Sequence, residues 1–305
     1  RAASGKDKIA ICGYHGWHDW YLSVNHNSNG SLDTHLLPGL EPNGVPKNLK
    51  NTVFPFNYNN FNELEFLCDN HNIGVIKMEV VRNFGPEDNF LNKVRDLATK
   101  KGIILVFDEC TSGFRETYGG IHKKYSVDPD IAMFGKTIGN GYALTAVVGI
   151  KEVMKSVEDT FISSTFWTER IGPTAALKTL EVMKKLKSWD TITNIGLNVR
   201  KGWSEIFKKY NLDFNITGIP SLSSYSFKTN NLEIQTLITQ EMLKKGFLSS
   251  NRFYACISHD KTILDLYFNA LDETLKSIGG VLDNKKEIIN KLNGPVKHSG
   301  FKRLN

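Results

Sequence analysis

The chain has 305 residues, of which 40% are hydrophobic and 23% charged, and a formal net charge of +6. That is the balance of an ordinary globular protein with room for a large core and a smaller second lobe. It has no stretch near the roughly 18 uninterrupted apolar residues of a membrane helix. Its lysines are scattered, and the densest runs, KEVMKSVED and EVMKKLKSW, mix apolar residues at helical spacing, reading as solvated helix faces and not as a nucleic-acid patch.

The opening RAASGKDKIAICGYHG reads as the end of a helix running into a strand, so residues are expected upstream of Arg1; it carries no charged-then-apolar secretory pattern. Five short apolar runs follow in order: KIAICG (8–13), IGVIKMEV (73–80), GIILVFDE (102–109), DIAMFGK (130–136) and LTAVVGI (144–150). None alternates with period two, as expected of buried parallel strands covered on both faces. NNFNELEFLCDNHN and PEDNFLNKVRDLATKKG lie between them at helical spacing, the second closing on Lys100, Lys101 and Gly102 as the helix dipole and a glycine stop favour.

Residues 22–57 form a long Asn/Pro/Gly-rich stretch without period, a length often given over to function. From about Thr168 to Tyr210 the pattern is helical, and the last third mixes short strands with helices. The expected fold class is α/β, a mostly parallel sheet flanked by helices in a large domain (1–195), followed by a smaller α+β domain (196–305). The four cysteines, Cys12, Cys68, Cys110 and Cys256, form no CxxC pair and read as reduced thiols of a cytoplasmic protein.

Two strand ends carry the chemistry. Asp108 closes the run ILVFD and Lys136 follows the run DIAMFG, so both side chains should emerge at the carboxyl edge of the sheet, where open α/β folds bind ligands. Singly, each has a bland reading, a turn cap for the aspartate and a loop residue for the lysine. Together they supply what pyridoxal phosphate requires: an amine to take its aldehyde as a Schiff base, and a carboxylate to keep its ring nitrogen protonated.

The segments VFDECTSGFR and DPDIAMFGKTIGNGYALTAVVG, preceded by CGYHGWHDWY and followed by TERIGPTAAL and QEMLKKGFL, resemble the class III aminotransferases. These are fold-type I pyridoxal-phosphate enzymes, and the likeness runs closest to the branch that includes glutamate-1-semialdehyde aminomutase. The resemblance covers nearly the whole chain. It implies Lys136 as the Schiff-base lysine and proton carrier, Asp108 on the pyridine nitrogen, and Tyr14 stacked on the ring in a turn shaped by His15 and Gly16. It also implies Thr168 on the phosphate of the partner subunit's cofactor, hence a homodimer with shared active sites, and Glu79 near the site. The family's main phosphate-binding turn lies upstream of its YHG segment and does not precede Tyr14 here. TERIGP also puts Glu169 and Arg170 where the family has small residues, which points away from the aminomutase's own substrate.

Other local readings stand beside this one. Cys12, His15 and His18 have three-residue spacing but no fourth ligand at a fitting distance, so no metal is expected. Trp17 and Trp20 serve equally as substrate contacts or as core. Arg115 could grip a substrate carboxylate with its planar fork, or pair with Glu109 or Glu116. The expected activity is amino transfer between a small-molecule donor and a carbonyl acceptor. An intramolecular amino shift uses the same residues, and a non-catalytic partner subunit is the rival outside enzymology. A Rossmann enzyme is excluded because no GxGxxG follows the first strand.

Overall fold

A computed structural model describes residues 1–16, 18–27, 32 and 40–299. The chain forms two compact units, Arg1–Leu186 and Lys187–Ser299. The division comes before the 195/196 boundary expected from the sequence, a position that lies inside a helix running Ser188–Lys209.

The first unit is built on six strands: β1 (Lys8–Cys12), β2 (Val53–Pro55), β3 (Ile73–Glu79), β4 (Ile104–Asp108), β5 (Ile131–Phe134) and β6 (Ala146–Gly149). Their spatial order is β2-β1-β3-β4-β5-β6, with β1 to β5 parallel and β6 antiparallel to β5. Four of the five expected parallel runs are as read. The fifth, β6, is an edge strand with Val147 and Val148 half exposed, because it turns back antiparallel where the others are sandwiched. Strand β2 lies within the stretch that had shown no period, too short at three residues to display one.

Helices α1 (Asp19–Leu22), α2 (Phe61–Asn70), α3 (Phe90–Lys101), α4 (Lys151–Met154) and α5 (Ile171–Leu186) complete this unit. The start of α2 is fixed locally: Asn60 accepts the Glu63 amide at 3.2 Å, while the Glu63 carboxylate accepts the Asn57 amide at 2.8 Å. Reciprocal capping of this kind satisfies orphan donors at a helix start. α3 ends at Gly102 with Lys100 and Lys101 in its last turn, where positive charge suits the dipole.

Alternation along the strands sends Ile9, Ile11, Val75, Val106, Ile104, Ile131 and Met133 to one apolar face, against Tyr21, Val24 and Leu32. Register decides what joins them. Ile11 stands beside Lys77, Lys77 beside Val106, and Glu79 beside Asp108. Lys77, Glu79 and Asp108 therefore share this face at its carboxyl end, since parity along a strand fixes the side.

The second unit holds α6 (Ser188–Lys209), β7 (Phe214–Ile219), β8 (Leu222–Phe227), α7 (Asn231–Lys244), β9 (Arg252–Tyr254), α8 (Lys261–Ile278) and α9 (Lys285–Asn290). The strands pair antiparallel in the order β7-β8-β9, and Trp203, Phe207, Leu237, Leu271 and Leu275 of the helices share a buried core with Tyr225 of β8. Asp260 caps α8 by accepting the Ile263 amide at 2.9 Å.

Candidate active site

Three strand ends converge. Asp108, the last residue of β4, is buried. Its Oδ2 accepts the Lys77 ammonium at 2.8 Å and its Oδ1 accepts the Cys110 amide at 3.2 Å. Burial alone would raise the carboxyl's pKa. The Lys77 ammonium 2.8 Å away opposes this, and the group is held below the usual carboxylate range, so Asp108 stands ionised.

His15 follows β1 and is buried between Lys77 and Asp108, its Nε2 lying 3.0 Å from the Cys12 carbonyl and its Nδ1 3.0 Å from Lys77 Nζ. A carbonyl can only accept and an ammonium can only donate. The ring is therefore protonated on Nε2 and bare on Nδ1, and the 3.4 Å approach of Nδ1 to Asp108 Oδ2 faces two acceptors across one lysine. Burial, first among the causes, lowers the imidazole's pKa, in keeping with this neutral form.

Glu79 ends β3 and is also buried; it accepts the Tyr14 amide at 3.1 Å and an Arg82 guanidinium nitrogen at 3.2 Å. Burial raises its pKa, with Arg82 and the Tyr14 amide opposing. These bonds fix the turn that carries Tyr14, and the Arg82 guanidinium carbon lies 5.9 Å from the Tyr14 ring centroid. The turn is tightened by Gly13 and Gly16 at φ +101° and +93°.

Lys136 sits two residues past β5 with φ +49°, an uncommon conformation for a residue with a side chain. Its amine donates to the Thr111 hydroxyl at 2.6 Å. Thr111 lies on the loop leaving Asp108, so the loops after β4 and β5 are joined through the lysine itself. Arg115 steadies the same loop, its Nε donating to the Thr111 carbonyl at 2.6 Å. Glu109 is occupied by the His122 ring at 2.9 Å and by its amide at 3.0 Å, while Glu116 receives Lys124 at 2.6 Å.

Of the residues singled out in the sequence, Tyr14, His15, Gly16, Glu79 and Asp108 gather at the ends of β1, β3 and β4. Lys136 and Arg115 join them through the Thr111 loop. Thr168 lies exposed on the turn Thr165–Thr168, and no hydrogen bond ties it to these side chains among the described residues. Trp17 lies outside the described residues. Cys12 is buried and its thiol is pushed up to about 12, chiefly by burial. Among the described residues no cluster of three or more His, Cys, Asp or Glu side chains is set to hold a metal ion, and no described helix is long and apolar enough to cross a membrane. Two residues escaped the sequence reading. Lys77 had one signal, a lone lysine inside a continuous apolar run; Thr111 had none.

An aspartate and a lysine at the carboxyl ends of adjacent parallel strands, in an open α/β sheet followed by a small α+β unit, define the fold-type I transaminase class. The model of the family "Aminotransferase class-III" matches residues 12–254, and the chain belongs to that family, whose cofactor is pyridoxal phosphate. It is 30% identical to the 3-aminobutyryl-CoA aminotransferase of Cloacimonas acidaminovorans over 92% of this chain and 68% of that protein. It is 31% identical to the glutamate-1-semialdehyde 2,1-aminomutase of Methanothrix thermoacetophila over 90% of this chain and 68% of the relative. The fold is that of the Sphingopyxis sp. MTA144 FumI protein in its PLP internal aldimine form, with TM-score 0.81 at 18% identity over 93% of this chain and 68% of that one. It is likewise that of an omega-transaminase from Sphaerobacter thermophilus, with TM-score 0.77 at 21% identity over 90% and 69% of the two chains.

Proposed function

We propose that this protein moves an amino group between a small amine-bearing donor and an aldehyde or keto acceptor, with Lys136 as the amine that takes up the cofactor's aldehyde. The observation that carries the reading is the placement of Lys136. Its amine rests on a neutral hydroxyl at 2.6 Å, on the loop that leaves an ionised aspartate, and among the described residues no ion pair has to be broken for it to react.

The residues suit pyridoxal phosphate. When bound, that group supplies an electron sink for the bonds around the substrate's amine-bearing carbon. Asp108 is a carboxylate with lone pairs beyond those used by Lys77 and the Cys110 amide, able to accept a ring N–H. Tyr14 offers an aromatic face, and Glu79 holds its backbone in place. Lys136, once released, is the base that collects a proton from the substrate carbon and returns it elsewhere. An intramolecular amino shift draws on the same groups, and the likeness to a glutamate-1-semialdehyde aminomutase supports it as the second reading.

Dimerisation belongs to this reading. Phe161, Phe166, Trp167 and Ile171 are exposed at 99%, 74%, 66% and 65%, a density of apolar side chains that marks a surface to be covered. Thr168 lies among them, where it would reach a neighbour's phosphate. Four free cysteines accord with a reducing, cytoplasmic setting.

The test is borohydride reduction after incubation with pyridoxal phosphate, followed by peptide mass mapping. A stable pyridoxyl group on Lys136, absent from Lys136→Ala, is expected. Labelling spread over surface lysines, unchanged in that variant, would transfer support to the non-catalytic partner subunit.

A further inference from the structure

Lys77 is out of place by composition. On the face it occupies, its register neighbours are Ile11 and Val106, and its row-mates along β3 and β4 include Val75 and Ile104. The lysine is itself buried. A leucine or methionine would fill the slot without taking a charge out of water, and replacing a buried ion pair by apolar side chains of similar volume is often neutral or stabilising. Stability is thus a poor reason for a lysine here.

Its contacts supply a better one. An ammonium has three N–H donors in tetrahedral array. One meets Asp108 Oδ2 at 2.8 Å and a second meets His15 Nδ1 at 3.0 Å. The nitrogen also lies 5.7 Å from the Trp20 ring centroid, within cation–π range. The shortest of these contacts is to the strand-end carboxylate. Other titratable groups near this cluster are Tyr14 from the segment after β1, Tyr21 from α1, Glu79 and Arg82 from β3 and its loop, Cys110 after β4 and Lys136 after β5. None of these is a cation in hydrogen-bond contact with Asp108 among the described residues; Lys77 is.

We propose that Lys77 is a positioning residue that presents Asp108 to the cofactor's ring nitrogen as a carboxylate already half-neutralised, and that fixes His15 as the Nε2-protonated neutral ring. The inference rests on the reading of Asp108 as the partner of that nitrogen. A lone buried carboxylate strongly favours a protonated pyridine ring, whereas a cation 2.8 Å from the same carboxylate opposes it. The bound ring nitrogen should therefore give up its proton at lower pH in this protein than in a variant lacking the lysine.

The experiment compares the native protein with Lys77→Met and Lys77→Arg by NMR. In the cofactor-free proteins, the 13C-carboxyl signal of Asp108, identified with Asp108→Asn, is titrated. Lys77→Met should move its midpoint up by about two pH units, within the range for loss of an opposite charge near a buried carboxylate, and Lys77→Arg should restore it. A midpoint unchanged in Lys77→Met overturns the proposal. With ring-15N pyridoxal phosphate bound, the nitrogen should stay protonated to higher pH in Lys77→Met than in the native protein; equal titrations overturn the claim that Lys77 sets how Asp108 meets that nitrogen. A native protein that does not bind pyridoxal phosphate speaks against the Lys136 reading, and the carboxyl titration still decides the role of Lys77. Should Lys77→Met not fold, the 15N shifts of the native His15 ring decide: a bare Nδ1 supports the arrangement and an Nδ1-protonated ring refutes it.

Discussion

The turn that carries Tyr14 can be tested at Gly13. A Cβ built on this residue would lie 2.4 Å from Glu79 Oε2 and 3.1 Å from Cδ and Cγ of the same side chain, on a backbone with φ +101°. Gly13→Ala thus meets two separate costs. Placing a side chain on a left-handed backbone costs about 1–2 kcal/mol. Expelling Glu79 from its place forfeits its bonds to the Tyr14 amide and Arg82, and one charged hydrogen bond of that kind is worth ~1.5–3 kcal/mol. The sum is ~2.5–5 kcal/mol of stability, read as a fall in the urea midpoint without a change in slope. The decisive assay is a double-mutant cycle with Glu79→Ala. With the carboxylate gone the clash goes too, so Gly13→Ala should then cost only the backbone strain of about 1–2 kcal/mol. Additive losses, agreeing within ~0.5 kcal/mol, would refute the argument that Glu79 and the backbone of this turn fill one another's space.

Two further outcomes follow from the same geometry. Because burial lowers the pKa of His15, the folded chain binds its proton less readily than the unfolded chain, whose imidazole titrates near 6.5 (about the value for a free His). Stability should therefore fall as pH drops below that point, and melting curves between pH 7 and 5 should be less steeply pH-dependent in His15→Gln than in the native protein. In the second unit, Trp203 is fully buried and donates its ring N–H to the Tyr267 hydroxyl at 2.8 Å. Trp203→Ala should cost about 3–5 kcal/mol by urea unfolding, whereas Trp203→Phe should recover most of the packing and lose only the bond to the Tyr267 hydroxyl, which keeps its Ser249 partner.

The parts of this fold that could be read from sequence are those whose cause is local. KIAIC, IGVIKME, ILVFD and IAMF are apolar throughout because both faces of a parallel sheet are covered, and the strands lie where those runs lie. α3 announces its end through Lys100, Lys101 and Gly102. β6 misled because AVVG is as apolar as its neighbours, and hydropathy does not distinguish a sandwiched strand from an exposed edge awaiting cover. The boundary between the units was drawn too late because residues 171–209 are helical almost without pause. The break between α5 and α6 is a single residue, Lys187, in a left-handed conformation, and no proline or glycine marks it.

The site divides along the same line. Asp108 and Lys136 could be placed in advance because each terminates an apolar run, and a strand end is a position in space as well as in sequence. What each touches depends on the register between strands, which a single chain of letters does not carry. Lys77 meets Asp108 because β3 and β4 are aligned with Glu79 opposite Asp108, which leaves Lys77 two residues back on the same face, within a side chain's reach of the carboxylate. A shift of one residue would turn the lysine to the opposite face of β3, out of reach of both Asp108 and His15. The lone cation in IGVIKMEV was thus visible from the start, but its meaning lay in a neighbouring strand 31 residues away. The same holds for Thr111, an unremarkable threonine until the left-handed turn at Lys136 brings an amine to its hydroxyl. Buried charge inside an apolar run is the sequence signal most worth pursuing in such a fold, because a charge placed there requires a partner and the partner is seldom nearby in the chain.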